Sequence, residues 1–274
     1  MEPIRTFSVK RVDGTGSERV VDRVAAEEPL VILVRHWRKD AQTTESLAVT
    51  MRTPGHDKEL AVGLLLSEAV IRGGEDVTEA RALGNGPANE VLVELARGVD
   101  FEAWRMARTG FVSSSCGVCG KRNGDAVRQD MPAAETDRFC IPASIVHALP
   151  QRLHARQEGF VETGGLHAAA LVTGVGKIEA VFEDVGRHNA LDKLIGWAVL
   201  NGHTPLRERM LFLSSRGSFE LVQKTAMAGA PMLATVGGPS SLAIETARDL
   251  QMTLMGFVRD GRFNVYSGDW RIHS

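Results

Sequence analysis

Long apolar runs are missing from this chain of 274 residues, and none approaches the roughly 18 that a membrane-spanning helix needs. Cysteine is scarce and odd in number, at three, which argues against a disulfide framework. A dominant charge is also absent. The 32 Lys and Arg against 34 Asp and Glu leave a formal net charge of −2, so neither a nucleic-acid footprint nor a membrane-surface bias shows. The amino end, Met1 to Arg11, lacks the apolar segment of a secretory signal. These absences predict a cytoplasmic protein in a reducing compartment, with no nucleic-acid and no membrane partner. What is present, 43% hydrophobic and 24% charged residues, is globular and long enough for one large or two ordinary domains.

Two of the three cysteines stand together in Ser113-Ser114-Ser115-Cys116-Gly117-Val118-Cys119-Gly120-Lys121, followed by Arg122. A thiolate, not a thiol, is the nucleophile, and adjacent cations favour it, so this stretch reads as a device for exposing a reactive sulfur. A structural zinc site needs four ligands, and one Cys-x-x-Cys pair with only Cys140 beyond it falls short. No structural metal is therefore expected. A thioredoxin-like dithiol normally opens a helix after a strand, whereas this pair sits in a long polar segment. A sulfur-carrying or otherwise nucleophilic cysteine fits better. Cys140, between Phe139 and Ile141, reads as a small buried hydrophobe.

Three regions are expected. Residues 1–107 read as a small α+β domain, with strands over 17–21, 30–34, 47–52 and 90–95 and an apolar-striped helix over 58–71 closed by Gly73-Gly74. Residues 108–138 read as a long loop carrying the Cys-x-x-Cys pair; loops of this length are commonly functional. Residues 139–274 read as α-β-β-α-β-α-β-α-β: helices over 143–157, 188–200, 218–228 and 241–251, and strands over 167–173, 177–184, 210–214, 231–236 and 252–258. That order implies a three-layer α/β sandwich on a mixed or largely parallel sheet.

In such sheets ligands gather at the carboxyl ends of strands, where helices begin. Two junctions there are rich in chemistry: Glu183-Asp184-Val185-Gly186-Arg187-His188-Asn189 and Ser214-Ser215-Arg216-Gly217-Ser218-Phe219-Glu220. Free N–H groups and the helix dipole make them anion sites. Arg187 and His188, in the company of Asp192 and Lys193, and Arg216, Gly217 and Ser218 are the candidate ligand-binding residues. A third rim, Phe257-Val258-Arg259-Asp260-Gly261-Arg262, reads as a strand end with two cations. His167, opening an apolar strand, reads equally as structural or functional, while His147, His154 and His203, on helix faces or turns, read as residues without a functional role.

Taken together, the Cys116/Cys119 motif, the Glu183–Lys193 motif, Ser214-Ser215-Arg216-Gly217-Ser218-Phe219-Glu220-Leu221-Val222-Gln223-Lys224, and Thr53-Pro54 leading into Leu60–Glu68 resemble the FdhD/NarQ family of formate dehydrogenase accessory sulfurtransferases. The resemblance spans nearly the whole chain. It implies a cytidine-deaminase-like sandwich with a smaller amino-terminal domain, and a homodimer. It also implies a function: sulfur received from a cysteine desulfurase as a persulfide, then delivered to the molybdenum (or tungsten) bis(molybdopterin guanine dinucleotide) cofactor before insertion into apo formate dehydrogenase. The family's active cysteine matches Cys116, and its cofactor-binding stretch matches Phe257–Arg262. Cys119 would assist release by closing a disulfide, or would relay sulfur. Zinc deaminases place their metal-binding cysteines at the second of the matching helix starts, which here is Ser215-Arg216-Gly217-Ser218 and has none. An anion pocket is the expected use of that place. A dithiol redox chaperone would instead form a Cys116–Cys119 disulfide and no persulfide, and a non-catalytic cofactor escort would tolerate Cys116→Ala.

Overall fold

Leu30, Ile32 and Val34 alternate inward along the first long strand of a four-stranded sheet, the period of two that puts one face in a core. The computed structural model describes residues 2–83, 89–101, 131–133 and 139–273. Cys116, Cys119, Lys121 and Arg122 lie outside the described residues. The chain opens with an antiparallel ribbon, β1 (Ile4–Asp13) and β2 (Gly16–Ala25), exposed on both faces. It is far longer than the expected strand over 17–21, because charged residues alternate with valines and hide the apolar period. Asp13 holds its tip by accepting from the N–H groups of Thr15 (2.8 Å) and Gly16 (3.0 Å).

The four-stranded sheet comprises β3 (Glu28–Arg38), β4 (Ala41–Arg52), β5 (Val77–Leu83) and β6 (Glu90–Leu95), in the order β4-β3-β6-β5. The parallel β3–β6 pair needs a crossover, which runs through α1 (Asp57–Ser67). The expected one-sided stripe on this helix is overturned. Every residue from Leu60 to Ser67 is buried, so α1 is a central helix. It also stops short of the expected Ile71. Ala69 takes a left-handed φ of 60°, and the Val70 N–H bonds back to the Leu65 carbonyl at 2.9 Å, so the chain turns before Gly73.

The second sheet has six strands in the order β13-β12-β11-β10-β8-β9. They are β8 (His167–Thr173), β9 (Ile178–Asp184), β10 (Arg209–Leu213), β11 (Met232–Thr235), β12 (Thr253–Arg259) and β13 (Arg262–Ser267). Only β10, β11 and β12 run parallel; the other neighbours are antiparallel, so the sheet is mixed. Helix α2 (Ala143–His154) packs Val146, Leu149 and Leu153 on one face, while α4 (Arg187–Leu200), α5 (Phe219–Met227) and α6 (Ser241–Asp249) cover the other. The expected helix over 143–157 ends at His154, and a separate short α3 (Glu158–Thr163) follows. A two-residue pairing of β7 (Ile141–Pro142) with β14 (Ile272–His273) ties the end of the chain beside α2. Among the described residues, no helix is long and apolar enough to cross a membrane.

The two sheets share one core through α1 and α4. A side chain on Gly63 would place its Cβ 1.9 Å from the Asp192 carbonyl oxygen, and one on Gly196 would lie 1.8 Å from that of Glu59. Backbone touches backbone at this crossing. Around it, Asp192 of α4 accepts from Lys224 of α5 at 2.8 Å and from Ser67 Oγ of α1 at 2.8 Å, joining three helices in a buried polar knot. Alanine at a helix-interior glycine normally stabilises by about 1 kcal/mol. Here overpacking against carbonyls that cannot retreat outweighs that gain, at about 1–3 kcal/mol or more. Urea unfolding should therefore show Gly63→Ala and Gly196→Ala clearly less stable than wild type, with Gly14→Ala, which meets nothing within 4 Å, unchanged. Stability of either helix variant at the wild-type level would disprove the close crossing.

Candidate functional site at the strand-end edge

Because β10, β11 and β12 are parallel, their carboxyl ends fall on one edge of the sheet, joined there by the start of β8 and the end of β9. The connections leaving this edge are laced by backbone hydrogen bonds. The Ser214 N–H donates to the Ala168 carbonyl (3.0 Å), Gly237 N–H to Ser215 (2.9 Å), Ser240 N–H to Gly217 (2.9 Å) and Phe257 N–H to Gly237 (3.1 Å). The Ala168 N–H donates in turn to Ser214 Oγ at 2.8 Å. Such a platform fixes its side chains before any ligand arrives.

Two helices begin over the platform, α4 after Gly186 and α5 after Ser218. Ser218 stands at the amino cap of α5, yet its Oγ makes no cap bond and is buried without a partner among the described residues. Arg187 Nε is likewise buried without a partner. A buried polar atom left unmatched costs on the order of 1–3 kcal/mol, so both have a hydrogen bond to offer to an acceptor placed there. Arg216 is exposed at the rim. Gly237 carries no side chain because Cβ there would sit 2.9 Å from the Arg216 Cα. Phe257 is 46% exposed at a left-handed φ of 52°, and its ring lies directly on Gly238, where a Cβ would meet Cζ at 2.5 Å. A bulky residue held in that conformation marks stored strain.

Inside the rim, His188 Nε2 lies 2.6 Å from Glu220 Oε2. Burial pushes the Glu220 carboxyl up, but the His188 bond and the charges of His188, Lys224 and Arg187 outweigh it and hold the group below its ordinary range. His167 is pushed the other way for an imidazole: burial first, then Arg187 and His188, lower its pKa despite Asp184, so it is neutral at pH 7.

Most expected ligand-binding residues share this edge: Arg187, His188, Arg216, Gly217, Ser218, Phe257, Arg259 and Arg262. Their surroundings differ from the sequence expectation in two respects. The stretch Phe257–Arg262 is not a bare strand end but a hairpin tip: Arg259 pairs with Arg262 across Asp260-Gly261, with Gly261 at φ 75°. Val258 is fully buried in the core beside α2, so only its backbone faces the edge. Asp260 accepts from Gln151 of α2 at 3.0 Å, and Arg259 donates to its own neighbour's carbonyl, Val258, at 3.0 Å. The dense polar company of His188 also divides. Lys193 pairs with Asp184 at 2.7 Å and donates to the Thr53 carbonyl at 2.9 Å, while Asn189 donates to the Met51 carbonyl at 2.7 Å. These buried groups seat β4 and the turn after it against α4; they are architecture.

Sequence reasoning passed over Glu220 as a partner of His188 and missed the Gly237-Gly238-Pro239 connection. The latter had a signal, a Gly-Gly-Pro run between strand and helix. It also missed an apolar cleft of about 430 Å³ beside the rim, walled by α2 and α3 and sharing His167 and Ser214 with the edge. A wider hollow of about 720 Å³ lies between the ribbon base, the Thr53–His56 turn and α3. Among the described residues, no three His, Cys, Asp or Glu side chains gather as a metal site.

A family model described as the FdhD/NarQ family matches residues 25–273. A Streptomyces coelicolor protein named Sulfur carrier protein FdhD is 44% identical over 268 residues, covering 95% of this chain and 92% of its own length. A Sulfolobus acidocaldarius protein of the same name is 39% identical over 269 residues, 98% of each chain. The crystal structure of a Desulfotalea psychrophila protein, described as a formate dehydrogenase accessory protein, superposes with a TM-score of 0.79 over 99% of this chain and 100% of its own. At 20% identity that likeness speaks for the fold alone.

The His188–Glu220 pair has a pH signature. Folding lowers the Glu220 carboxyl, so its contribution to stability is complete above about pH 4.5, the ordinary glutamate value, and is lost as pH falls through the lowered one. Urea unfolding from about pH 6 down to about pH 3 should therefore cost wild type more stability than Glu220→Gln. Parallel profiles for the two proteins would show that the pair contributes nothing.

Proposed function

The chain belongs to the FdhD/NarQ family, and from that premise we propose that it is a cytoplasmic sulfur carrier for the maturation of formate dehydrogenase. Cys116 takes sulfur from a cysteine desulfurase, and the strand-end edge holds the receiver, a molybdenum or tungsten bis(molybdopterin guanine dinucleotide). The observation that carries the second half is the pair of buried groups without a partner among the described residues, Arg187 Nε at the amino end of α4 and Ser218 Oγ at that of α5, with Arg216 exposed two residues before Ser218. Phosphate oxygens supply the acceptors these groups lack, and two helix amino ends add N–H groups and positive potential. The sheet order, with an antiparallel β8–β9 pair beside three parallel strands, supports a cytidine-deaminase-like reading of residues 139–274. Residues 1–107 are then a second domain and 108–138 the segment bearing the thiols.

Sulfur loading is a thiolate exchange. The Cys116 thiolate attacks the terminal sulfur of the desulfurase persulfide, a new S–S bond forms, and the desulfurase cysteine leaves as thiolate. Lys121 and Arg122 stabilise the attacking anion by charge. Delivery returns Cys116 to the unloaded state. Cys119 acts here, either closing a disulfide on Cys116, which supplies two electrons and frees the sulfur as sulfide, or passing the sulfur on. The edge contributes position: fixed guanidiniums and amides hold the receiver's phosphates at no reorganisation cost during transfer.

Incubation with a desulfurase and cysteine should leave a mass gain of about 32 Da, one sulfur atom, on Cys116. In parallel assays Cys116→Ala should abolish dehydrogenase activation. A mass gain confined to Cys119, or full activation by Cys116→Ala, would sink the assignment.

A further inference from the structure

The β1–β2 ribbon takes no part in the chemistry proposed above, and the family match begins only at residue 25, where the ribbon ends. Its pairs run in unbroken register from Ile4↔Ala25 to Asp13↔Gly16, a reach of about 30 Å at roughly 3.4 Å per residue. Directly paired residues share a face and successive pairs alternate, which fixes the composition of both faces. One face holds Phe7, Val9, Val20 and Val24, and its charges are matched at home: Arg11 stands opposite Glu18, and Arg5 pairs with Glu28. The other holds Lys10 directly opposite Arg19, between the pairs Ser8–Val21 and Val12–Ser17, and carries no acid along its length. Among the described residues neither cation has an ion-pair partner, whereas Arg23, nearer the root on the same face, pairs with Glu162 of α3 at 2.7 Å. Val12 and Val21 beside them are 69% and 73% exposed. Like charges placed directly opposite are destabilising, and a two-stranded ribbon has little stability of its own to lose. Carboxylates from outside the chain would remove that repulsion.

The root of the ribbon shows what this face flanks. Ala25 lies against Gly165, 3.8 Å from where a side-chain Cβ would stand, and the Ala26 N–H donates to the Pro3 carbonyl at 2.8 Å. Gly165 and Leu166 lead straight into β8, and Glu183 at the end of β9 accepts from the Gly159 and Phe160 N–H groups of α3, both at 2.8 Å. The ribbon therefore springs from the same edge of the six-stranded sheet at which the receiver is proposed to lie. A protein that takes the receiver over must come to this edge, whereas sulfur loading needs only contact with Cys116. We infer that the Lys10/Arg19 face of the ribbon is a docking arm for cofactor-free formate dehydrogenase, meeting an apolar strip flanked by carboxylates on that protein. The inference rests on the proposed function and adds to it the surface at which the recipient docks. A second copy of the chain fits this face poorly, because a two-fold contact through it sets four cations together. One face of the ribbon offers on the order of 300 Å², against about 800 Å² per partner in a standard interface, so the arm steers and orients the partner and further surface holds it.

The test is surface plasmon resonance of the full chain against cofactor-free formate dehydrogenase from the same organism. Association with wild type should slow steeply from roughly 0.05 to 0.5 M salt, as contacts between charged surfaces do. Lys10→Glu combined with Arg19→Glu exchanges one like-charge pair for another, so the ribbon's internal repulsion is kept while its sign toward a partner is reversed. That double variant should bind at least about tenfold more weakly, mostly through slower association, and should load sulfur on Cys116 as wild type does. Val12→Ser combined with Val21→Ser should weaken binding with little change in its salt dependence. Undiminished binding by both double variants overturns the docking arm. Loss of sulfur loading in the charge-reversed protein overturns it too and assigns the ribbon to the desulfurase, and conversion of a dimer to a monomer in light scattering overturns it in favour of a second copy. Wild type that does not bind the dehydrogenase is equally fatal to the arm. Full activation by Cys116→Ala, by contrast, sinks the sulfur carrier and leaves the binding result standing, so the two failures are distinguishable.

Discussion

Everything at the strand-end edge depends on the contact between two glycines. Gly63 and Gly196 let α1 and α4 touch backbone to backbone, closer than any side chain allows. Helix axes ordinarily lie 8–10 Å apart, the distance set by the side chains between them. Removing those side chains brings α1 into the space between the sheets, so one hydrophobic cluster runs through both. The amino end of α4 is thereby set at a fixed height above the six-stranded sheet, and Arg187 and His188 with it. A looser crossing would shift these residues relative to Arg216 and Ser218, which α5 and its own strand position separately.

The buried ions do related work. Asp184–Lys193 and Asp192–Lys224 are nearly free of solvent, and ion pairs so placed add little net stability over an apolar replacement. Their value is in direction. Asp184 accepts from the Gly186 N–H at 2.8 Å and from the Thr53 N–H at 3.1 Å, so a single carboxylate fixes the turn into α4 against the turn into α1. An apolar pair would fill the volume and leave both turns free to slide.

Strand β6, strands β8 to β12 and the helices that cover them were legible because burial gives them simple patterns. The strand 90–95 and the strand 167–173 coincide with their expected bounds. Elements whose pattern is set by something else were not legible. Helix α1 is apolar all round, so its period carries no facing information, and the ribbon and β13 alternate apolar residues with charges that solvent tolerates. The site was readable as a set of strand-to-helix junctions, yet the division of labour within Glu183–Lys193 was not. Asp184, Asn189 and Lys193 point to β4 and the Thr53 turn, Asp192 to α5, and only Arg187 and His188 to the rim. Sequence spacing places all of them within ten residues at one strand-to-helix junction and cannot say which partner each one meets.

That division bears on how the rim carries charge. Glu220, held as a carboxylate beside His188, offsets part of the positive charge at the rim. The positive potential then rests with Arg187, Arg216, Arg259 and Arg262, reinforced by two helix amino ends. Gathering like charges on one edge raises the energy of the empty protein, and the buried Arg187 Nε, without a partner among the described residues, raises it further. An anion placed at this edge would relieve both costs at once, by lowering repulsion and by supplying acceptors. Features that favour an anion over a neutral group at this edge are thus the ones that lower the stability of the free fold. The apolar cleft adjoining the same edge adds surface that water covers poorly, so two unlike deficits meet on a single platform.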